Sequence, residues 1–157
     1  MADVVDSATR SRMMASIRST DTRPELAVRS ALHRRGYRFR VHVSSLPGRP
    51  DIVLPKWRAV VFVHGCFWHG HDGCRFFRLP QTRAVFWERK IAANRERDVR
   101  QVASLKLAGW RVVTIWECAV RRDTAATCVA VEQFLLTPRA DELIVGETDL
   151  VVDQMGS

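Results

Sequence analysis

The chain has 157 residues, 46% of them hydrophobic, enough for one domain with a proper core and too few for two large ones. Lys and Arg outnumber Asp and Glu by 25 to 17, a formal charge of +8 that favours a polyanionic partner such as nucleic acid, although a merely soluble basic protein carries the same balance. No run of about 18 apolar residues exists to span a membrane and no secretory-signal pattern opens the chain, so the expected location is the cytoplasm. Four cysteines under those conditions point to metal rather than disulfides.

Residues 1–20 are polar and basic, with Arg10, Arg12 and Arg18 around Met13-Met14. They read either as an arm lying against DNA or as a frayed, solvated terminus, the commoner fate of such segments. Thr22-Arg23-Pro24-Glu25 has capping-box spacing with proline in the first turn, so a helix starts near Thr22, and Gly36 is its natural stop. Tyr37, Phe39, Val41 and Val43 alternate with polar residues and predict a strand. After the turn Leu46-Pro-Gly-Arg-Pro50, short strands at 51–54 and 59–63 flank Pro55-Lys-Trp-Arg58, which predicts an antiparallel hairpin.

Beyond a loop at 80–83 a long helix is predicted from Ala84 to Leu107, with a candidate break at Ala92-Ala93-Asn94 and with Val99, Val102 and Leu105 facing the core. Gly109 ends it, residues 110–116 form a buried strand, and 125–136 suit a helix. Residues 137–157 read as a poorly ordered tail. The expected organisation is an arm (1–20), one α/β domain with a mixed sheet between helices (21–136) and a tail (137–157).

Cys66, His71, Cys74 and Cys118 offer a Cys₃His set for tetrahedral zinc, the first three at C-x₄-H-x₂-C and the last at the end of a later strand. Soft thiolates suit a closed structural zinc better than magnesium. The competing reading is three buried free cysteines and a surface histidine. Cys128 lies in a helix-like stretch and reads as an ordinary small hydrophobe.

With His71 assigned to zinc, His64 and His69 remain close to the strand end that should neighbour Asp51. A carboxylate at the open end of a sheet is a hard-oxygen site for Mg²⁺, which stabilises charge on a scissile phosphate, and imidazole can move a proton near neutral pH. That combination fits phosphodiester hydrolysis; the alternative leaves Asp51 a turn residue and both histidines satisfied polar groups. Phe67-Trp68 are adjacent large apolar residues on a loop, suited to wedging between base steps. Trp87 on the following helix can join them, with Lys90 and Asn94 on about the same face toward base edges, or Trp87 is simply core and Lys90 solvated.

Leu46-Pro-Gly-Arg-Pro-Asp51, Val63-His-Gly-Cys-Phe-Trp-His69, Phe86-Trp87…Lys90…Asn94…Asp98 and Gly109-Trp-Arg…Trp116-Glu-Cys118 closely resemble the very short patch repair (Vsr) mismatch endonucleases. Met1-Ala-Asp and Ala8-Thr-Arg-Ser-Arg are similar to that family too, and the resemblance runs to about residue 122. It implies a restriction-endonuclease-like core of the PD-(D/E)xK type and strand-specific nicking on the 5′ side of the thymine in a T:G mismatch. Such mismatches arise by deamination of 5-methylcytosine at sites made by a DNA cytosine methyltransferase.

Carried over by position, the resemblance implies that Asp51 binds Mg²⁺ with the Val63 backbone carbonyl. It makes His69 the general base or acid oriented by Asp98, and has Glu25 and His64 hold the waters around the metal. Met14, Phe67, Trp68 and Trp87 are then wedges beside the mismatch, and Lys90 and Asn94 its readers. Gly70 interrupts the family's run of histidines, and His71-Asp-Gly-Cys74 is one residue longer before its cysteine.

The expected function is thus a monomeric, Mg²⁺-dependent mismatch endonuclease with structural Zn²⁺, acting on double-stranded DNA, with mismatch-repair proteins as candidate partners. The alternatives are a sequence-specific restriction or nicking enzyme on paired DNA, and a zinc-stabilised DNA-binding module without catalysis.

Overall fold

The computed structural model describes residues 21–150. The expected arm at 1–20, Met14 included, lies outside the described residues. Helix α1 (Arg23–Arg34) starts where its sequence dictates: the Thr22 side-chain oxygen accepts from the Glu25 N–H at 3.4 Å, and proline occupies the first turn. The Glu25 carboxylate does not close the box on Thr22. It accepts instead from the Asp21 N–H at 2.9 Å, one residue earlier.

The sheet has the order β1-β2-β3-β4. Strand β1 (Ile52–Leu54) and β2 (Ala59–His64) form the expected antiparallel hairpin around a short 3₁₀ turn, Pro55–Trp57. Helix α2 (Ala84–Leu107) then crosses over and returns the chain as β3 (Arg111–Trp116), parallel to β2. Helices α3 (Glu117–Arg122) and α4 (Thr124–Leu135) lead to β4 (Glu142–Val145), parallel to β3.

Alternation along the strands feeds two cores. Ile52, Leu54, Val61, Val63, Val113 and Ile115 pack on α1 and α4, against Val28, Leu32, Val131 and Phe134. Val53, Val60, Phe62 and Val112 pack on the opposite face with Leu105 of α2. Each central strand is therefore buried on both sides, which is why β2 reads as an unbroken apolar run. The result is a mixed four-stranded sheet with helices on both faces.

Four expectations need correction. Residues 37–43 form no strand; only Arg40 pairs, with Val53, through two hydrogen bonds of 2.8 Å. His42 takes a left-handed φ of 56°, which breaks the extended run, so Tyr37 and Phe39 pack in one core and Val43 in the other. Helix α2 is continuous through Ala92–Asn94. Val99 is 69% exposed, whereas Val102 and Leu105 pack against the sheet near the C-terminal end of the helix. Finally, residues 137–150 are not a tail. They supply β4, a helical turn at 147–150 and the buried Leu150.

Arg111 ties β3 to this C-terminal extension. Its guanidinium donates to the carbonyls of Leu135 (3.3 Å), Thr137 (2.7 Å) and Ala140 (2.9 Å) while lying over the Phe134 ring. These are charge-assisted bonds to the end of α4 and the turn that follows it. Arg111→Ala should lower unfolding stability in urea by about 2–3 kcal/mol. Arg111→Lys should recover only part of it, since one ammonium cannot reproduce the fork.

Candidate active site and metal centre

Asp51 stands just before β1, and its carboxylate accepts from the Val63 N–H of β2 at 2.6 Å. Glu25 reaches the same place from α1: it is 2% exposed and Arg29 donates to its carboxylate at 3.2 Å. Burial first, and then the charge of Glu25, push the Asp51 carboxyl up from 3.8 to about 7, against the Val63 hydrogen bond. A buried and a half-buried carboxylate with one nearby cation are held together at a cost that a bound divalent ion would relieve. The chemistry of this donor set, two hard oxygens beside the Val63 backbone, fits magnesium.

His64, the last residue of β2, lies on the same sheet face as Phe62 and so meets α2. Its ring stacks on His69, with centroids 3.7 Å apart and planes 1° from parallel. His69 Nδ1 lies 2.6 Å from Asp98 of α2. Burial lowers the His64 pKa to about 3, aided by the charge of His69, so His64 is neutral at physiological pH. Asp98 fixes the His69 tautomer with hydrogen on Nδ1, leaving Nε2 as the basic nitrogen. Glu25, Asp51, His64, His69 and Asp98 line one open cleft, together with Lys90, Asn94 and Trp68.

The knuckle follows at once. The ligand atoms of Cys66, His71, Cys74 and Cys118 all lie within 4.8 Å of one another, and Cys118 Sγ is 3.6 Å from His71 Nδ1. Tetrahedral zinc, with bonds of roughly 2.3 Å to sulfur and 2.0–2.1 Å to nitrogen, separates such atoms by about 3.6 Å. Cys118 is delivered by the first turn of α3 rather than by β3 itself. Burial raises the Cys66 and Cys118 thiols, as expected for clustered thiols without a cation. Cys128 is buried in the α1–α4 core, remote in role from this cluster.

Gly70 is where the knuckle passes closest to α2. Its φ is +62°, and a Cβ there would fall 2.5 Å from both Ile91 and Arg95. Arg95 donates to the Gly70 carbonyl at 2.9 Å and to Asp72 at 2.7 Å, clamping the loop. Nothing in the sequence singles out Arg95, whose partners lie 25 and 23 residues away.

The aromatic residues form one cluster. Phe67 meets Trp68 and Trp87 edge-on at 5.1 and 5.5 Å, and Trp68 meets Trp87 at 6.0 Å. Trp87 is only 5% exposed and underlies the partly exposed Phe67 and Trp68. Lys90 is exposed, whereas the Asn94 amide donates to the Trp68 carbonyl at 2.8 Å and accepts from Arg97 at 3.1 Å. In this structure Asn94 therefore holds the loop that carries Phe67 and Trp68.

Trp116, unassigned by sequence reasoning, joins the two centres. It pairs in register with His64, meets that ring edge-on at 5.5 Å, and stacks on His71 at 4.1 Å and 2°. Its sequence signals are its place at the end of a buried strand and in the Trp116-Glu-Cys118 motif, neither of which gives it a role.

Comparison with known proteins agrees with this geometry. Residues 2–75 match the family model for DNA mismatch endonuclease Vsr. The chain is 48% identical to the DNA mismatch endonuclease Vsr of Escherichia coli strain K12, over 94% of this chain and 90% of that one. It is 55% identical to the type II nicking enzyme V.XorIIP of Xanthomonas oryzae pv. oryzae, over 75% of this chain and 86% of that one. It is also 40% identical to the type II nicking enzyme V.NmeAIP of Neisseria meningitidis, over 77% and 86% of the two chains. A buried carboxylate pair, a stacked histidine couple and a thiol-rich knuckle, in a chain so similar to these proteins, place it in the DNA mismatch endonuclease Vsr family.

Proposed function

We propose that this DNA endonuclease nicks the thymine strand 5′ of a T:G mismatch by Mg²⁺-dependent phosphodiester hydrolysis, on a restriction-endonuclease-like core stabilised by zinc. The observation that carries the reading is the convergence of Asp51 and Glu25 from β1 and α1 with the stacked His64–His69 pair from β2 and the knuckle. No helix among the described residues is long and apolar enough to cross a membrane, in keeping with a DNA substrate in the cytoplasm.

Asp51 would hold Mg²⁺ together with the Val63 backbone carbonyl, and Glu25 and His64 would hold the waters around it. The ion supplies electrostatic stabilisation of charge developing on the scissile phosphate and its leaving oxygen. His69 takes or returns the proton through Nε2, and the Asp98 carboxylate at 2.6 Å stabilises the resulting imidazolium. Neutral His64 stacked beneath it presents no like charge to oppose that protonation. Phe67 and Trp68 enter the base stack from the platform of Trp87, Lys90 contacts the mismatch, and Asn94 reads it after exchanging its bond to the Trp68 carbonyl. Met14 completes the wedge from the arm. Cys66, His71, Cys74 and Cys118 hold Zn²⁺, which fixes the knuckle that carries both wedge residues and His69. The enzyme acts as a monomer on lesions left by a DNA cytosine methyltransferase, with mismatch-repair proteins as partners.

The direct test is a labelled duplex with one T:G mismatch beside its fully paired twin, in Mg²⁺ and in chelator. A Mg²⁺-dependent nick 5′ of the mismatched T and none in the paired duplex is the expected result; cutting of both would assign a restriction-type activity. Asp51→Ala should abolish nicking with an unchanged circular dichroism spectrum, and His69→Ala should slow single-turnover nicking by about 10²–10⁴-fold.

Cys66→Ser should lower the Tm by roughly 10 °C, the loss expected when a structural metal no longer contributes to folding. An unchanged melting curve would remove the structural role.

In chelator, Asp51 has a pH signature. A carboxyl raised to about 7 keeps its proton in the folded chain after the unfolded chain, near 3.8, has released it. Its contribution is therefore full below about 4 and is lost as pH rises toward 7. His64, lowered from 6.5 to about 3, acts in the opposite sense, its contribution growing as pH rises through that range. The difference between variants isolates Asp51: the Tm advantage of Asp51→Asn over wild type should grow from pH 5 to pH 7.5. A constant difference would contradict the raised carboxyl.

A further inference from the structure

The segment after β4 comes to rest on the metal centre. The Glu147 N–H donates to Cys118 Sγ at 3.3 Å, across 29 residues of sequence. The Glu147 carboxylate accepts from Arg75 at 2.9 Å, next to Cys74, and lies 3.5 Å from Arg122 at the end of α3. Gly146 is buried, and a Cβ on it would stand 3.3 Å from Cε1 of His71. Asp149 accepts from the Gly146 N–H at 2.6 Å, setting the turn. Leu150 anchors its far end, 5% exposed, in a small core with Ala119 and Val145.

We infer that residues 146–150 form a wall of the metal centre that retards loss of its ion, with the Glu147 N–H holding the Cys118 sulfur. This rests on the zinc reading above. An N–H aimed at a ligand sulfur fixes that sulfur's position and occupies a side from which a competing chelator would approach. The same segment covers Cys118, 1% exposed, and sits against the side of His71 that faces Gly146. The two arginine contacts tie this wall to both arms of the ligand set, one beside Cys74 and one at the end of the helix whose first turn carries Cys118.

The N–H can be removed alone. Residue 147 opens a helical turn, the position where proline is accepted and its missing N–H leaves helix bonding intact. Glu147→Pro removes the N–H and the carboxylate, whereas Glu147→Ala removes only the carboxylate. Full-length zinc-loaded proteins would be mixed with excess chromophoric chelator and the release rate of zinc followed.

Glu147→Pro should release zinc about tenfold faster than Glu147→Ala, the scale typical of groups that support metal ligands. Arg75→Ala/Arg122→Ala should match Glu147→Ala, both faster than wild type; Arg75 is exposed, so this variant keeps the test open if the proline variant does not fold. With Co²⁺ in place of zinc, the sulfur-to-metal charge-transfer band should shift to lower energy in Glu147→Pro alone. Wild type holding zinc while all variants release it at the wild-type rate would overturn the wall and leave the zinc reading intact. A wild-type protein that binds no zinc would overturn both.

Discussion

The parallel ladder between β2 and β3 ends on the pair His64 and Trp116, and both centres are built from that end. A strand buried on both faces cannot slip, because a shift of one residue exchanges its two sets of side chains. Fixing the register therefore fixes the two rings on the α2 side of the sheet. From there His64 lies against His69, and Trp116 lies against His71. The histidine pair of the cleft and the Cys/His cluster thus share one foundation without sharing a side chain.

The electrostatics of the cleft follow from the same burial. Low solvent access holds His64 neutral and lifts Asp51 toward neutrality, so neither group carries its ordinary charge with ease. One consequence is a pair of carboxylates that face each other; the other is an uncharged neighbour for His69. Arg49, Lys90 and Arg97 line the same cleft, a set of cations suited to a polyanion.

Local patterns were legible wherever the chain's own neighbours decide the outcome. The cap at Thr22, the hairpin around Pro55–Trp57 and the full extent of α2 agree with the residues that write them. The ligand spacing from Cys66 to Cys74 is similarly local. What escaped depends on partners far along the chain. Periodicity at 37–43 suggests a strand, but only the left-handed turn at His42 tells which core each side chain joins. Strand β4 is short, half-exposed and paired only with β3, so nothing near it announces a sheet. Asn94 projects from the expected helix, yet its amide is engaged by a loop 26 residues earlier. Contacts of Arg95 with Gly70 and of Glu147 with Cys118 are invisible for the same reason.

The order in which the metal centre's parts occur along the chain has a bearing on its assembly. Cys66, His71 and Cys74 come first, Cys118 follows, and Glu147 comes 29 residues after that. A ribosome adding about 5–20 residues per second needs roughly 1.5–6 s to make those 29 residues. During that interval all four ligands have been made while the covering segment has not. An order written in the gene thus places the covering segment last among the parts that meet at this cluster.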